Sequence, residues 1–273
     1  MPLSQNLRDL IALNAPLWAG EAEVVRTYWT SPVRTRETDK LWLKRQCWKE
    51  YVGNETVKGD GVGRLIRLAR TLDKMVPQLE IEVDRNDLKE EIEKQYVEYV
   101  HYCLFANVYD HLRDPNEPVL NVKTLEIWPA EAAKSQHGRE IRAKYGKLAS
   151  RAGEFSEGGY CTLFSEGLKL KGKPGVDGLI GEACQRVYDD EFGHMMHGVV
   201  EIDMAGLTPP DWEILRKITV EIMRNRVVMR NEQFSHPLSD KRIQEIMDGK
   251  IEPIEFDYAK AEEYIQAHAA AAE

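Results

Sequence analysis

With 273 residues, 42% of them apolar and 30% charged, the chain is long enough to bury one substantial core without staples. Its net charge of −9 argues against nucleic acid or an anionic membrane surface as a partner. Cys47, Cys103, Cys161 and Cys184 are scattered with no Cys-x-x-Cys pair, which excludes a zinc-ribbon or rubredoxin-like module and reads as buried, reduced thiols.

In the first 30 residues, Arg8, Glu21, Glu23 and Arg26 interrupt any apolar run, and no later run reaches the length of a membrane span. The expectation is a cytoplasmic protein. Helical periodicity then dominates. Residues 37–76 read as a long helix, with a break near Gly59–Gly63, whose stripe runs Trp48, Val52, Glu55, Gly59, Val62, Ile66, Ala69 and Val76. A second helix starts about Asp87 and reaches about His111, where Asp114-Pro115-Asn116-Glu117-Pro118 stops it.

After a linker at 123–128, helix resumes beyond Pro129 and runs to about Lys171, with breaks expected at Gly138, Gly146 and Gly153. Lys134, Arg139, Arg142, Lys144, Lys147 and Arg151 make this stretch basic, which reads as a solvated helix face. Gly172-Lys173-Pro174-Gly175 is the sharpest turn signal. A helix follows from about Asp177 to Ala205, and Pro209-Pro210-Asp211 opens another that ends near Phe234. The tail after Ala261 should fray. The expected architecture is one all-α domain over 1–273. Two hairpins, 37–113 and 130–205, form a four-helix bundle, with accessory helices at 1–30 and 209–270.

Each hairpin's second helix carries Glu-x-x-His: Glu98 with His101, and Glu191 with His194. Spacing of three puts carboxylate and imidazole on one face, where both can meet a metal. One such motif is weak; two at equivalent points of two hairpins are stronger. Counting back through the Pro174 turn, Glu157 stands level with Glu191 on the facing helix. Glu157 sits before Gly158, Gly159 and an apolar run, where an unpaired charge would be costly and a metal would supply the partner.

The segment from Glu157-Gly158-Gly159 through Gly172-Lys173-Pro174-Gly175 to Asp189-Asp190-Glu191-Phe192-Gly193-His194 resembles the second half-site of the ribonucleotide reductase small subunit. It is also similar to the methane monooxygenase hydroxylase. The resemblance covers about 40 residues, and outside it only Glu98 and His101 carry over. It implies a ferritin-like bundle, a dinuclear iron site, and ligand roles for Glu157, Glu191 and His194. It also implies that Asp190 orients a metal-bound imidazole, here His101 across the bundle.

The first-helix ligand is less defined. The family window 63–68 holds no carboxylate, which leaves Glu55 on the stripe as the preferred residue, with Asp60 and Asp73 as alternatives. Where the reductase subunit has its radical tyrosine this chain has Phe105, so no stable tyrosyl radical of that type is expected. The residue before Glu98 is Val97, so the first half-site lacks an orienting acid. Val187 stands where arylamine N-oxygenases of the same broad group add a third histidine. His197 is either an extra ligand or proton relay, or a hydrogen-bonded residue near the bundle end, and His236 reads as structural.

Carboxylates and imidazoles suit iron, leave coordination positions open and tolerate both oxidation states. The expected ligand set is Glu55, Glu98, His101, Glu157, Glu191 and His194 converging in a water-poor core, with the glycines beside Glu157 and His194 leaving space for oxygen or substrate. The sequence thus points to two Fe ions, Mn being an alternative in one position. O2 would be the cosubstrate of an oxygenase or oxidase acting on a small molecule. No flavin or iron–sulfur motif is present, which calls for a separate electron donor or reductase. Oligomeric state is left open, a homodimer being common among such bundles. Two competing readings are an iron-handling ferroxidase and a metal-free helical interaction protein.

Overall fold

Ser4 opens the first helix: its Oγ accepts from the Leu7 amide, satisfying one of the free N–H groups of the first turn. In the computed structural model, which describes residues 2–52 and 64–271, eleven α-helices follow one another and no β-strand forms among the described residues. The chain is all-α, as its periodicity predicts. No helix among the described residues is long and apolar enough to cross a membrane.

Helix α1 (Gln5–Thr30) buries Leu7, Leu10, Ile11, Trp18, Val25 and Tyr28, the three-and-four spacing of a core face. Its most extensive contact is with α9 (Pro209–Gln233), which starts on two prolines, with Asp211 Oδ2 accepting from Thr208 N at 2.9 Å. The sequence reading has both as accessory helices; both contribute buried residues to the main core. The physical reason is polar pairing. Asn14 donates to Thr219 Oγ1 at 3.0 Å, and Glu21 binds Arg226 and Arg230, so the polar positions that dilute the apolar pattern are buried against each other.

Helix α2 (Arg36–Tyr51) begins at a Thr35–Thr38 capping box and packs along α4 (Arg85–Leu112). Between them lies α3 (Arg64–Met75). The expected break at Gly59–Gly63 falls outside the described residues. Trp42 and Phe105 meet at 6.2 Å between ring centroids and Trp42 stacks on Phe234 at 5.3 Å, tying α2, α4 and the end of α9 into one core.

The long helix expected between Pro129 and Lys171 is three: α5 (Pro129–Tyr145), α6 (Lys147–Phe155) and α7 (Thr162–Gly167). Gly146 breaks it with φ at 54°, whereas Gly138 and Gly153 stay helical. The second break spans 156–161, where Tyr160 and Cys161 adopt left-handed φ of 60° and 48°. Trp18 fixes this link: its Nε1 donates to Ser156 O at 3.0 Å, and a Cβ on Gly159 would overlap its ring. Helix α8 (Val176–Met204) then returns along α4, α6 and α7, and α10 (Asp240–Met247) and α11 (Tyr258–Ala271) close the chain.

Candidate metal centre

Charged side chains from several elements converge on one cavity of about 150 Å³: α2 with Lys49 and Glu50, α4 with Glu98 and His101, α5 with Glu131, the α6–α7 link with Glu157, α8 with Glu191, and α9 (Pro209–Gln233) with Arg226 and Arg230. One donor atom from each of Glu50, Glu98 and His101 can be chosen so that all lie within 4.8 Å of one another. On α4 the spacing of three does what the sequence predicts, and His101 is 1% exposed.

Asp190 on α8 reaches across to α4, its Oδ2 lying 3.3 Å from His101 Nε2. Nε2–H donating to this carboxylate turns the Nδ1 lone pair toward Glu191 Oε1, 3.5 Å away. In that tautomer the Nδ1 lone pair and the Glu191 carboxylate are both available to one cation, whereas a proton on Nδ1 would instead bridge them. This contact and the oxygen-rich donor set fit a divalent transition metal. Five carboxylates line the cavity, Glu50, Glu98, Glu131, Glu157 and Glu191, and Lys49, Arg226 and Arg230 line it with them, so part of the acidic charge is already balanced by the protein.

Glu50 is a carboxylate that α2 places at the cavity. Glu55 and Asp60 lie outside the described residues, and Asp73 is an exposed residue of α3. Glu50 continues the buried positions Leu43 and Gln46 at spacings of three and four, a row about 200° around the helix from the stripe read through Trp48 and Val52.

Glu157 lies on the open side of the cavity, whereas His194 does not line it. His194 Nδ1 lies 3.2 Å from Glu191 Oε2, but its side chain is 69% exposed. Three residues advance a helix by about 300°, so His194 sits at the edge of the face that Glu191 presents to the cavity. Glu157 lines the cavity yet is 58% exposed, with Arg226 Nη1 at 3.8 Å from its Oε1. The centre is therefore buried at Glu50 and His101 and open at Glu157, not water-poor throughout, and of the sequence-predicted ligands His194 stands outside it. Space beside the glycines divides the same way: Gly193 is open, whereas Trp18 and Val199 fill the space at Gly159 and Gly158.

His197 lies near Glu201 at 3.6 Å and does not line the cavity. His236 holds a turn, its N–H donating to Asn231 O at 2.7 Å with φ at 56°. Phe105 is fully buried against Phe164.

The sequence reading missed the polar shell behind the carboxylates. Gln46 Nε2 donates to Glu50, Gln233 Nε2 donates to Gln46 Oε1 at 2.9 Å, and Arg230 donates to Gln233 Oε1. Arg230 and Arg226 then share Glu21, and Arg226 meets Glu157. Burial pushes the Glu21 carboxyl up, but the two guanidinium groups outweigh it and hold the group far below the usual carboxylate range. Glu131 on α5 is fully buried: Lys134 and Ser135 donate to its Oε1, and its Oε2 has no hydrogen-bond partner among the described residues. Burial raises its pKa, but Lys134 and Lys49 bring it below normal. No local motif announces these residues, because their partners come from segments far apart in the chain.

No protein-family model, curated protein or solved structure matches this chain.

Proposed function

We propose that this chain is a ferritin-like di-iron oxidoreductase that uses O2 to oxidise a small organic substrate. The observation that carries the reading is the convergence of Glu50, Glu98, Glu157 and Glu191 with His101 on one cavity, with Asp190 fixing the imidazole from the next helix. Bound iron would supply the redox chemistry with dioxygen. The protein's part is to hold carboxylates from separate helices in place, keep the His101 Nδ1 lone pair directed inward, and leave the Glu157 side open for entry.

Manganese in one position is compatible with the same donors, and electrons would come from a separate donor or reductase. Ferrous iron titrated anaerobically into the full chain tests the reading. About two irons per chain, followed by oxygen consumption coupled to turnover of an added organic substrate, is the expected result. A chain that binds no iron would sink it.

A ferroxidase reading draws on the exposure of Glu157 and His194, which would let ions enter and leave. Repeated ferrous additions distinguish the two: ferric mineral accumulating over many turnovers marks iron handling.

A further inference from the structure

A second cavity, about 320 Å³, lies between α5, α6 and α9, and Arg226 forms part of its wall as well as that of the carboxylate cavity. Pockets for small organic ligands run from about 300 to 1,000 Å³. Lys134, His137, Arg139, Arg142 and Arg226 line this one against a single carboxylate, Glu154, in a chain of net charge −9. The basic stretch read as a solvated face thus contributes part of the wall of a cavity.

Two of these cations are already committed, Lys134 to Glu131 at 2.6 Å and Arg226 to Glu21 at 3.1 Å. Arg139 meets the neutral amide oxygen of Gln136, and Arg142 has no carboxylate within 4.0 Å among the described residues. His137 Nε2 is shielded from solvent, has no hydrogen-bond partner among the described residues and lies 3.5 Å from Glu221 Oε2. Ile141, Ala149 and Ile222 give the same cavity an apolar side.

Guanidinium groups match carboxylate geometry, and an apolar side accepts a short carbon chain. The geometry points to this cavity as the binding site of a small aliphatic carboxylate, held by Arg139, Arg142 and His137. That this ligand is the substrate class of the neighbouring centre rests on the di-iron reading above.

Calorimetric titration of the full chain, with and without ferrous iron, tests the inference with hexanoate, hexanamide and inorganic phosphate as probes. Hexanoate should bind and hexanamide should not. The Arg139→Gln/Arg142→Gln double variant should bind hexanoate at least tenfold more weakly with unchanged circular dichroism and iron uptake. If that variant misfolds, Arg142→Gln alone, an exposed position, carries the comparison. Equal binding of hexanoate and hexanamide, phosphate binding without hexanoate, no hexanoate binding, or variants that bind as wild type overturn it. Hexanoate bound by protein that takes up no iron would uphold the ligand class and overturn only the di-iron reading. Iron uptake without hexanoate recognition would do the reverse.

Discussion

Gln233 Nε2 donates to Gln46 Oε1 at 2.9 Å, joining the end of α9 to the helix that carries Glu50. Gln46 spends its own amide N–H on Glu50, so this one contact orients the donor that orients a cavity carboxylate. Gln233→Leu should therefore lower ferrous affinity by roughly tenfold or more, the scale for outer partners of ligands. It should also cost about 1–3 kcal/mol for the polar groups left unpaired. Iron titration and denaturant unfolding check the two effects separately.

Asp190 acts on the other side. Asp190→Asn keeps the shape at 3.3 Å from His101 Nε2 but removes the charge that favours donation from that nitrogen. Iron affinity should fall about 10- to 100-fold with helix content unchanged. Affinity equal to wild type would show that the contact does not set the ring.

Cavity carboxylates and surface acids should separate cleanly. Glu50→Ala and Glu191→Ala should abolish dinuclear loading, whereas Asp73→Asn, on the exposed part of α3, and His236→Ala, in the turn after α9, should load as wild type. Metal analysis after anaerobic loading reads the stoichiometry. If all four variants behave alike, the cavity is not the metal site.

Glu21 couples stability to acid. Its folded pKa lies below the ordinary value of 4.5, so its contribution is fully present above that value and is lost as pH falls below it. Glu21→Gln should destabilise the protein at neutral pH by about 3–5 kcal/mol, because two buried guanidinium groups lose their charge partner. It should also flatten the stability loss between pH 5 and lower values. Denaturant midpoints across that range provide the measurement.

Gly181 on α8 faces the backbone of Lys171, which a Cβ would overlap. Gly181→Ala should cost about 1–3 kcal/mol, since backbone cannot yield as a flexible side chain does. Gly193→Ala, in open space on the same helix, should be nearly neutral or slightly stabilising in thermal unfolding.

The sequence by itself determined the all-helical class, most helix ends and the α4 half of the candidate site, because these depend on residues within one or two turns. Proline starts, the Thr35–Thr38 cap and the Glu98–His101 spacing are local chemistry. The link from Asp190 to His101 was legible only through resemblance, since it joins two helices.

Tertiary structure decided the rest. It packed α1 against α9, brought Glu50 to the cavity, left Glu157 exposed at its edge and His194 outside its lining, and assembled Glu21, Arg226, Arg230 and Gln233 behind the carboxylates. Burial of a charge depends on which distant segment brings its counter-charge, and helical periodicity cannot rank a position whose partner lies some 200 residues away.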